Sequence, residues 1–356
     1  MVMDGFFWQI TDIHIEINFS PTGDINNDCR GKDIAKHPLG LYGDFSCDSN
    51  MLLLKDSVQA MKKIHPKPDF ILWTGDNVPH LTDEEVDWNL VFSSINKTTR
   101  AITDVFSDTM IIPVLGNHDV HPYKHFPWST FSDYCERYLT TGGWGNLIPL
   151  DQQENWKKGA YYSVHINPQL TILVVNTFLY QFYEQDIGSD PKGQFAWLTS
   201  QLQTAKDKNT KVIVTSHIPP GYQAPEGQFL AHPYVEKYLA IINNFSQVIS
   251  TQIYAHLHRD TFRLLRDING EFKTNAFLGP SVTPWKYPKN ATQGNNPCVR
   301  LYNYDLKSNE LLDYQQYCLN FTLANQMAAQ GQWPPECDSE CRKWLLCSIG
   351  AVTSEQ

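Results

Sequence analysis

The chain lacks the sequence features of two large classes of protein. Its 356 residues include no run of five basic side chains, and its formal net charge is −10. Proteins that bind duplex nucleic acid need clustered Lys and Arg to contact phosphates, so we expect no duplex nucleic-acid partner. No apolar stretch reaches the ~20 residues that span a bilayer, so we expect no transmembrane segment. Hydrophobic residues make up 42% of the chain, which is enough for a sizeable core.

A secretory leader is also missing from this chain. The first four residues have neither a basic nor an apolar region, and a strand-like run begins at Phe6. Eight cysteines and five glycosylation sequons nevertheless favour the secretory route. The sequons, some of which we expect to carry N-glycans, begin at Asn18, Asn96, Asn244, Asn290 and Asn320. We therefore expect a secreted or lysosomal protein whose leader is absent here; the alternative is a cytosolic enzyme with chance sequons.

The cysteines contain no C-x-x-C pair, so a structural zinc site is poorly supported. Cys298 and Cys318 flank two runs of alternating hydrophobicity, and each lies ten residues from Ser308. A hairpin centred on Ser308 would place the two cysteines opposite each other, within reach of a disulfide. The sequence therefore predicts a Cys298–Cys318 bridge.

Residues that commonly bind metals occur in five separate blocks. The blocks are Asp12-x-His14, Gly75-Asp76, Gly116-Asn117-His118-Asp119, Ser216-His217 and His256-x-His258. Four of them directly follow runs typical of buried strands, at residues 6–10, 70–73, 111–115 and 212–214. Open α/β sheets place their sites at such carboxyl ends of strands. Carboxylate, carboxamide and imidazole together suit Zn, Fe or Mn better than Ca. One block alone would be ordinary turn sequence, but all five together predict a two-metal hydrolase.

The order of these blocks resembles that of the calcineurin-like metallophosphoesterases. The resemblance implies an α/β fold, a four-layer αββα sandwich of two facing mixed sheets between helices. It implies two divalent metal ions, with Zn²⁺ as the first choice. Asp12, His14, Asp76 and His258 would bind the first ion, and Asp76, Asn117, His217 and His256 the second, with Asp76 bridging. His118 would face the substrate phosphoryl group, with its ring oriented by Asp119. A metal-bridging water would attack phosphorus, and a protonated histidine would protonate the leaving group.

Further motifs resemble one branch of that superfamily, the acid sphingomyelinase-like phosphodiesterases. They are Trp73–Asp76 with His80, Tyr254–Asp260, Pro280–Pro284, Asn295–Pro297 and Arg300–Asp305, and the likeness covers roughly residues 6–347. It implies that His80 shares phosphate contact and leaving-group protonation with His118. Pro79 stands where purple acid phosphatases carry a Tyr ligand, so we expect no iron-bound phenolate. Ala255 is a departure, because the family usually has Gly before its H-x-H pair.

The branch implies a phosphodiesterase that hydrolyses nucleotides or other small phosphoesters at acidic pH, since a protonated His118 or His80 is needed. We expect a monomer. The alternatives are a sphingomyelin phosphodiesterase that releases phosphocholine, a phosphomonoesterase, and a non-catalytic secreted binding protein. No saposin-type module precedes the first strand at Phe6, and this favours the small phosphoester.

The chain divides into a catalytic domain at 1–319 and a small Cys-containing helical C-terminal segment at 320–356. We predict helices at 50–64, 84–106, 192–206 and 231–245, and a long loop at 15–48. An aromatic-rich stretch at 120–158 is predicted either to roof the metal cleft or to pack as a helical insertion. The resemblance also implies Cys29–Cys47 and Cys337–Cys341 disulfides, and it leaves Cys135 and Cys347 open.

Overall fold

A computed structural model of the chain describes residues 4–35, 39–123, 128–181, 188–223, 227–286, 294–330 and 344–351. The helices are α1 (Met51–Ile64), α2 (Trp88–Thr103), α3 (Phe131–Thr140), α4 (Gln153–Gly159), α5 (Gln194–Lys208), α6 (His232–Asn244) and α7 (Phe321–Ala329). The strands are β1 (Asp4–Ile10), β2 (Phe19–Asp24), β3 (Phe70–Trp73), β4 (Met110–Pro113), β5 (Tyr162–Asn167), β6 (Leu170–Val174), β7 (Lys211–Thr215), β8 (Tyr222–Gln223), β9 (Gly227–Gln228), β10 (Ile249–Tyr254), β11 (Thr261–Arg266), β12 (Phe272–Leu278), β13 (Cys298–Asp305), β14 (Leu311–Leu319) and β15 (Trp344–Ala351).

Most of the strands form two mixed six-stranded sheets. The first sheet has the order β15-β14-β13-β1-β3-β4, and the second has the order β11-β12-β10-β7-β6-β5. Strands β1, β3 and β4 are parallel, as are β6, β7, β10 and β12, while the outer strands pair antiparallel. Parallel strands need crossover connections, and the helices supply them. The predicted α/β fold with two mixed sheets is confirmed.

Strand β1 shows how the two sheets stack, because neighbouring side chains of a strand point to opposite faces. The indole of Trp8 donates to the carbonyl of His65 at the end of α1, on the outer side of the first sheet. The amide of the next residue, Gln9, donates to the carbonyl of Tyr254 in the second sheet at 2.9 Å. The sheets therefore face each other, and one hydrophobic core fills the space between them and beneath the helices.

The predicted helices are confirmed as α1, α2, α5 and α6, with ends that differ by a few residues. Helix α2 begins at Trp88 rather than at 84, because the Asp87 side chain accepts a hydrogen bond from Leu90 N and caps the helix there. Helix α1 is capped in the same way by Asn50, whose side chain accepts a hydrogen bond from Leu53 N. No helix in the described part of the chain is both long and apolar enough to cross a bilayer.

The C-terminal segment is only partly helical, and this corrects the predicted helical tail. Helix α7 covers Phe321–Ala329, but Trp344–Ala351 is a strand that pairs antiparallel with β14. The run Trp344–Ala351 is short and almost continuously apolar, and such a run is ambiguous between helix and strand until its partner is known. The open edge of β14 supplies that partner, so the segment extends the first sheet.

Two of the three predicted disulfides lie within the described residues. Both the Cys298–Cys318 hairpin disulfide and the Cys29–Cys47 loop disulfide are confirmed. Cys298 and Cys318 pair directly across β13 and β14. Cys135 is free and buried in α3. The Cys337–Cys341 pair lies outside the described residues, as does the side chain of Cys347.

Candidate metal centre

All five ligand blocks lie at the carboxyl ends of strands. Blocks beginning at Asp12, Asp76 and Asn117 follow β1, β3 and β4, which are adjacent and parallel in the first sheet. His217 follows β7, and the His256 block follows β10, its parallel neighbour in the second sheet. Because the two sheets face each other, the five loops meet at one end of the sandwich. The backbone links them directly: Asp12 N donates to Gly75 O at 3.0 Å.

The backbone at this centre is held in an uncommon conformation. Five of the seven predicted ligands have a positive φ: Asp12 (+47°), His14 (+43°), Asp76 (+56°), His256 (+76°) and His258 (+56°). Left-handed backbone costs a non-glycine residue of order 1–2 kcal/mol, and it persists where the surrounding contacts impose it, most often at functional sites. The turns thus hold the ligand side chains at a cost in local stability.

Two small residues lie next to the ligands, Gly116 before Asn117 and Ala255 before His256. A Cβ on Gly116 would lie 2.1 Å from Asp76 Oδ1 and 2.3 Å from Asp76 N, so only glycine allows the β3 and β4 loops to approach this closely. Ala255 is fully buried and has none of the positive φ angles of its neighbours. The methyl group that replaces the family's usual glycine is therefore accommodated without left-handed strain.

Asp76 lies at the middle of the cluster. Its Oδ2 is 3.0 Å from His217 Nε2 and 3.5 Å from His14 Nε2, between residues assigned to different ions. Asp12 Oδ1 lies 3.3 Å from His258 Nε2. Burial alone would raise the pKa of Asp76, but the positive charge of His217 and its contact with the carboxylate hold this pKa well below its ordinary value. The central carboxylate is therefore an anion.

The histidine tautomers also suit metal binding. His14 Nδ1 lies 2.7 Å from the carbonyl of Val78, and His217 Nδ1 lies 2.7 Å from that of Thr74. A carbonyl only accepts, so each Nδ1 carries a proton and each Nε2 is the nitrogen left to face a cation, which would replace any proton held there. Four buried ligand atoms here have no hydrogen-bond partner: Asp12 Oδ1, His14 Nε2, Asn117 Oδ1 and His217 Nε2. Buried polar atoms rarely remain unsatisfied, and two cations, one held by Asp12 and His14 and one by Asn117 and His217, would explain all four.

Donor atoms of the described residues gather in three groups, each within 4.8 Å. The groups are Asp12, His14 and Asp76; Asp76, His217 and His256; and His14, His80 and His258. The first two each contain three of the four residues that the sequence assigned to one ion, with Asp76 common to both; His258 and Asn117 are not in these two groups. The third brings His80 beside His14 and His258, so His80 stands next to the first predicted ion.

His80 and His118 are neighbours at the mouth of this cluster. Their ring centroids are 4.6 Å apart, and His80 stacks on His14 at 3.8 Å. Two aromatic side chains flank the pair, with Trp285 stacked on His80 at 4.0 Å and Tyr123 on His118 at 4.4 Å. Burial lowers the pKa of His118 to about 3, so its imidazole is neutral at neutral pH and offers one N–H donor.

Asp119 does not have the partner that we predicted. Its carboxylate accepts hydrogen bonds from the backbone N–H groups of Asp76, Asn77 and Gly116, at 2.9, 2.7 and 3.0 Å. In the described residues it makes no hydrogen bond to the ring of His118. The expectation that Asp119 orients this ring is corrected: a carboxylate between two turns is a better acceptor for backbone donors, and Asp119 fixes the turn that carries Asp76.

Sequence reasoning missed a buried carboxylate next to His80. Asp48 Oδ1 lies 2.9 Å from His80 Nδ1, and its Oδ2 accepts from the backbone N–H of His80 at 2.6 Å. Asp48 belongs to the long loop that follows the first ligand block, 32 positions before His80. No spacing rule joins the two residues, and the only local signal was the adjacent Cys47.

The aromatic stretch at 120–158 divides between the two predicted roles. Phe131, Tyr138, Trp144 and Trp156 are fully buried in the core around α3 and α4, as in a packed helical insertion. Tyr123 contacts His118 instead and borders the metal cluster. Phe126 lies outside the described residues.

Comparison with known proteins gives consistent results. A family model described as calcineurin-like phosphoesterase matches residues 7–260, and one described as acid sphingomyelin phosphodiesterase C-terminal region matches 272–337. An acid sphingomyelinase-like phosphodiesterase 3b of Mus musculus is 35% identical over 90% of this chain and 72% of its own length. A sphingomyelinase phosphodiesterase C of Dictyostelium discoideum is 35% identical over 90% of this chain and 74% of its own. A Homo sapiens cyclic GMP-AMP phosphodiesterase is 34% identical over 90% and 72%.

Proposed function

This chain belongs to the acid sphingomyelinase-like phosphodiesterases of the calcineurin-like phosphoesterase family, and we propose that it hydrolyses small phosphodiesters with two bound zinc ions. The observation that carries the proposal is a set of four buried, unsatisfied ligand atoms, from Asp12, His14, Asn117 and His217, on the loops that surround the Asp76 carboxylate. A pair of cations at such a centre supplies an activated water and neutralises charge on the phosphoryl oxygens.

The proposed ligand sets follow the two donor groups that share Asp76. Asp12, His14, Asp76 and His258 hold the first ion, and Asp76, Asn117, His217 and His256 hold the second. Imidazole nitrogens with a few oxygen donors, and no thiolate, suit zinc, although Fe and Mn accept the same set. The protonated Nδ1 atoms of His14 and His217 keep their rings in the orientation that binding requires.

His118 and His80 act on the phosphate and the leaving group. A neutral His118 ring donates its N–H to a phosphoryl or leaving-group oxygen, and the negative charge that develops there in the transition state strengthens this hydrogen bond. His80, 4.6 Å away, provides a second donor to the same oxygens. The low pKa of His118 means that proton transfer from this ring depends on the arriving phosphate rather than on acidic solvent.

The substrate class is proposed from the relatives and the borders of the site. Relatives are named for cyclic GMP-AMP and for sphingomyelin, and both are phosphodiesters. Trp285 and Tyr123 flank the two histidines with flat aromatic surfaces, which suit a nucleobase by stacking. We therefore place nucleotides first and the phosphocholine ester of sphingomyelin second. One loop disulfide and one hairpin disulfide fit a secreted or lysosomal enzyme.

A substrate panel with zinc added tests the assignment. We expect bis-p-nitrophenyl phosphate and a cyclic dinucleotide to be cleaved, with activity abolished by EDTA and restored by zinc. His118→Ala should lower kcat by about 10²–10⁴-fold. His232→Ala, at an exposed histidine that pairs with Glu236 and is in none of the donor groups, is the matched control and should retain full activity. A faster reaction with a monoester, or activity that survives both EDTA and His118→Ala, would overturn the proposal.

A further inference from the structure

We propose that Asp48 is a positioning residue that fixes the ring of His80 for catalysis, and that the Cys29–Cys47 disulfide holds Asp48 in place. The inference rests on the proposed function, because it assigns a role within the same site. Hydrogen bonds join the two residues, although they lie 32 positions apart and the sequence gives no reason to connect them.

The Asp48 carboxylate receives three donors on two oxygens. The His80 backbone N–H donates to Oδ2 at 2.6 Å, and Thr283 Oγ1 donates to Oδ1 at 3.0 Å. His80 Nδ1 lies 2.9 Å from Oδ1 and 3.1 Å from Oδ2. Asp48 is fully buried and the His80 side chain is 14% exposed, so water hardly competes for these contacts. Burial raises the pKa of Asp48 to about 7, and the donated hydrogen bonds oppose that rise.

The contact fixes both the orientation and the tautomer of His80. In its ionised form the Asp48 carboxylate only accepts, so His80 Nδ1 then donates to it, and Nε2 is the nitrogen that remains for the substrate. The ring is also held between two flat neighbours, His14 at 3.8 Å and Trp285 at 4.0 Å. With one edge bonded to Asp48 and both faces covered, the ring has no other orientation available without breaking these contacts.

The loop that carries Asp48 is fastened on both sides. Asp28 and Asp48 lie next to the two bridged cysteines, and Asp28 Oδ1 accepts a hydrogen bond from Asp48 N at 2.6 Å. On the other side, Ser49 N donates to the carbonyl of the ligand His14 at 3.1 Å. The disulfide thus links the part of the loop around Cys29 to the segment that carries Asp48. That segment is in turn bonded to His14, a predicted ligand of the first ion.

A double-mutant cycle tests the pairing on the zinc-loaded full chain. Asp48→Asn leaves one of the three donors without an acceptor and should lower kcat by roughly 10–100-fold, the loss typical of a carboxylate that orients a functional histidine. If Asp48 acts through His80, Asp48→Asn should cause less than about a twofold further loss when His80 is already Ala. An undiminished loss in the His80→Ala background would overturn the proposal. Asp44→Asn, in the same loop and bonded only to Ser46 N, is the matched control.

A second variant and a spectroscopic measurement distinguish loss of the Asp48–His80 pairing from misfolding of the chain. Thr283→Val removes only the hydroxyl donor to Asp48, so it should give a smaller loss of kcat that also disappears in the His80→Ala background. Nitrogen-15 NMR of the histidine rings should show a protonated Nδ1 for His80 in the wild type and a changed pattern in Asp48→Asn. An unchanged His80 signal would refute the pairing. This readout needs no substrate, so it separates failure of the pairing from failure of the proposed activity.

Discussion

Arg300 donates from Nη2 to Oδ1 of Asp260 at 2.6 Å, and this ion pair joins strand β13 of the first sheet to the segment that follows His258. The Arg300 side chain is completely buried, while the Asp260 side chain is 27% exposed. Gln316 and Tyr302 complete the contacts of the guanidinium. The two sheets are therefore linked electrostatically just behind the metal-binding loop.

Removing the carboxylate should destabilise the fold. Asp260→Asn leaves the buried guanidinium of Arg300 without its counter-charge, and breaking a buried ion pair from one side costs about 3–5 kcal/mol. Because Asp260 is partly exposed, we expect a loss near the lower end of that range, measured by urea unfolding. Glu154→Gln removes an exposed partner of Lys157 and should leave the midpoint unchanged. Equal midpoints for Asp260→Asn and the wild type would show that this pair contributes nothing.

His217 provides a test of the metal assignment. His217→Ala should reduce the zinc content after dialysis from about two equivalents to about one and lower kcat by at least about 100-fold, since the second ion loses a nitrogen ligand. The zinc content and kcat are measured on the same samples of the variant and the wild type. His165→Ala, at an exposed histidine in β5, should change neither. Full zinc binding by His217→Ala would remove this residue from the ligand set.

Asp28 should make the stability of the protein depend on pH. Burial and the neighbouring Asp48 charge raise the pKa of Asp28 to about 8, while an unfolded Asp titrates near ~3.9. The folded chain therefore holds the extra proton between these values, and its stability falls as pH rises from about 4 to about 8. This sign predicts a folded state that is more stable at acidic than at alkaline pH.

The Asp28→Asn variant measures this effect. It removes the buried charge, so the midpoint of thermal unfolding at pH 8 should rise by a few degrees, with a smaller change at pH 5. Both Asp28 and Asp33 have a positive φ, which Asn tolerates. Asp33→Asn is thus a control with the same chemistry at an exposed position. A pH profile for Asp28→Asn parallel to the wild type would exclude Asp28 as the source.

Glycan occupancy should differ among the sequons. Asn18 and Asn244 are exposed, whereas Asn96 is half-buried in α2 and donates from Nδ2 to the carbonyl of Thr141 at 2.9 Å. A glycan at Asn96 has little free space, so we expect high occupancy at Asn18 and Asn244 and low occupancy at Asn96. Peptide mass spectrometry of protein secreted by eukaryotic cells measures this. A fully occupied Asn96 would contradict the packing of α2 against the Thr141 turn.

The sequence by itself determined the strands and the ligand blocks at their ends. A buried strand leaves a local signal, a short apolar run, and a metal site leaves another, the residue types with nitrogen and oxygen donors. Both signals are contained in a few consecutive residues, so Asp12, Asp76, Asn117 and His217 could be placed without knowing their partners. The Cys298–Cys318 bridge was equally local, because a hairpin fixes its own register.

Only the tertiary structure decided which residues support those ligands. Asp48 reaches His80 across a loop that the disulfide folds back, and Asp119 bonds to the backbone of the β3 turn rather than to the adjacent His118. Strand β15 is a strand because β14 offers it a free edge. In each case a hydrogen bond between segments far apart in the chain determines the partner or the conformation. Short-range patterns of polarity contain no information about such bonds.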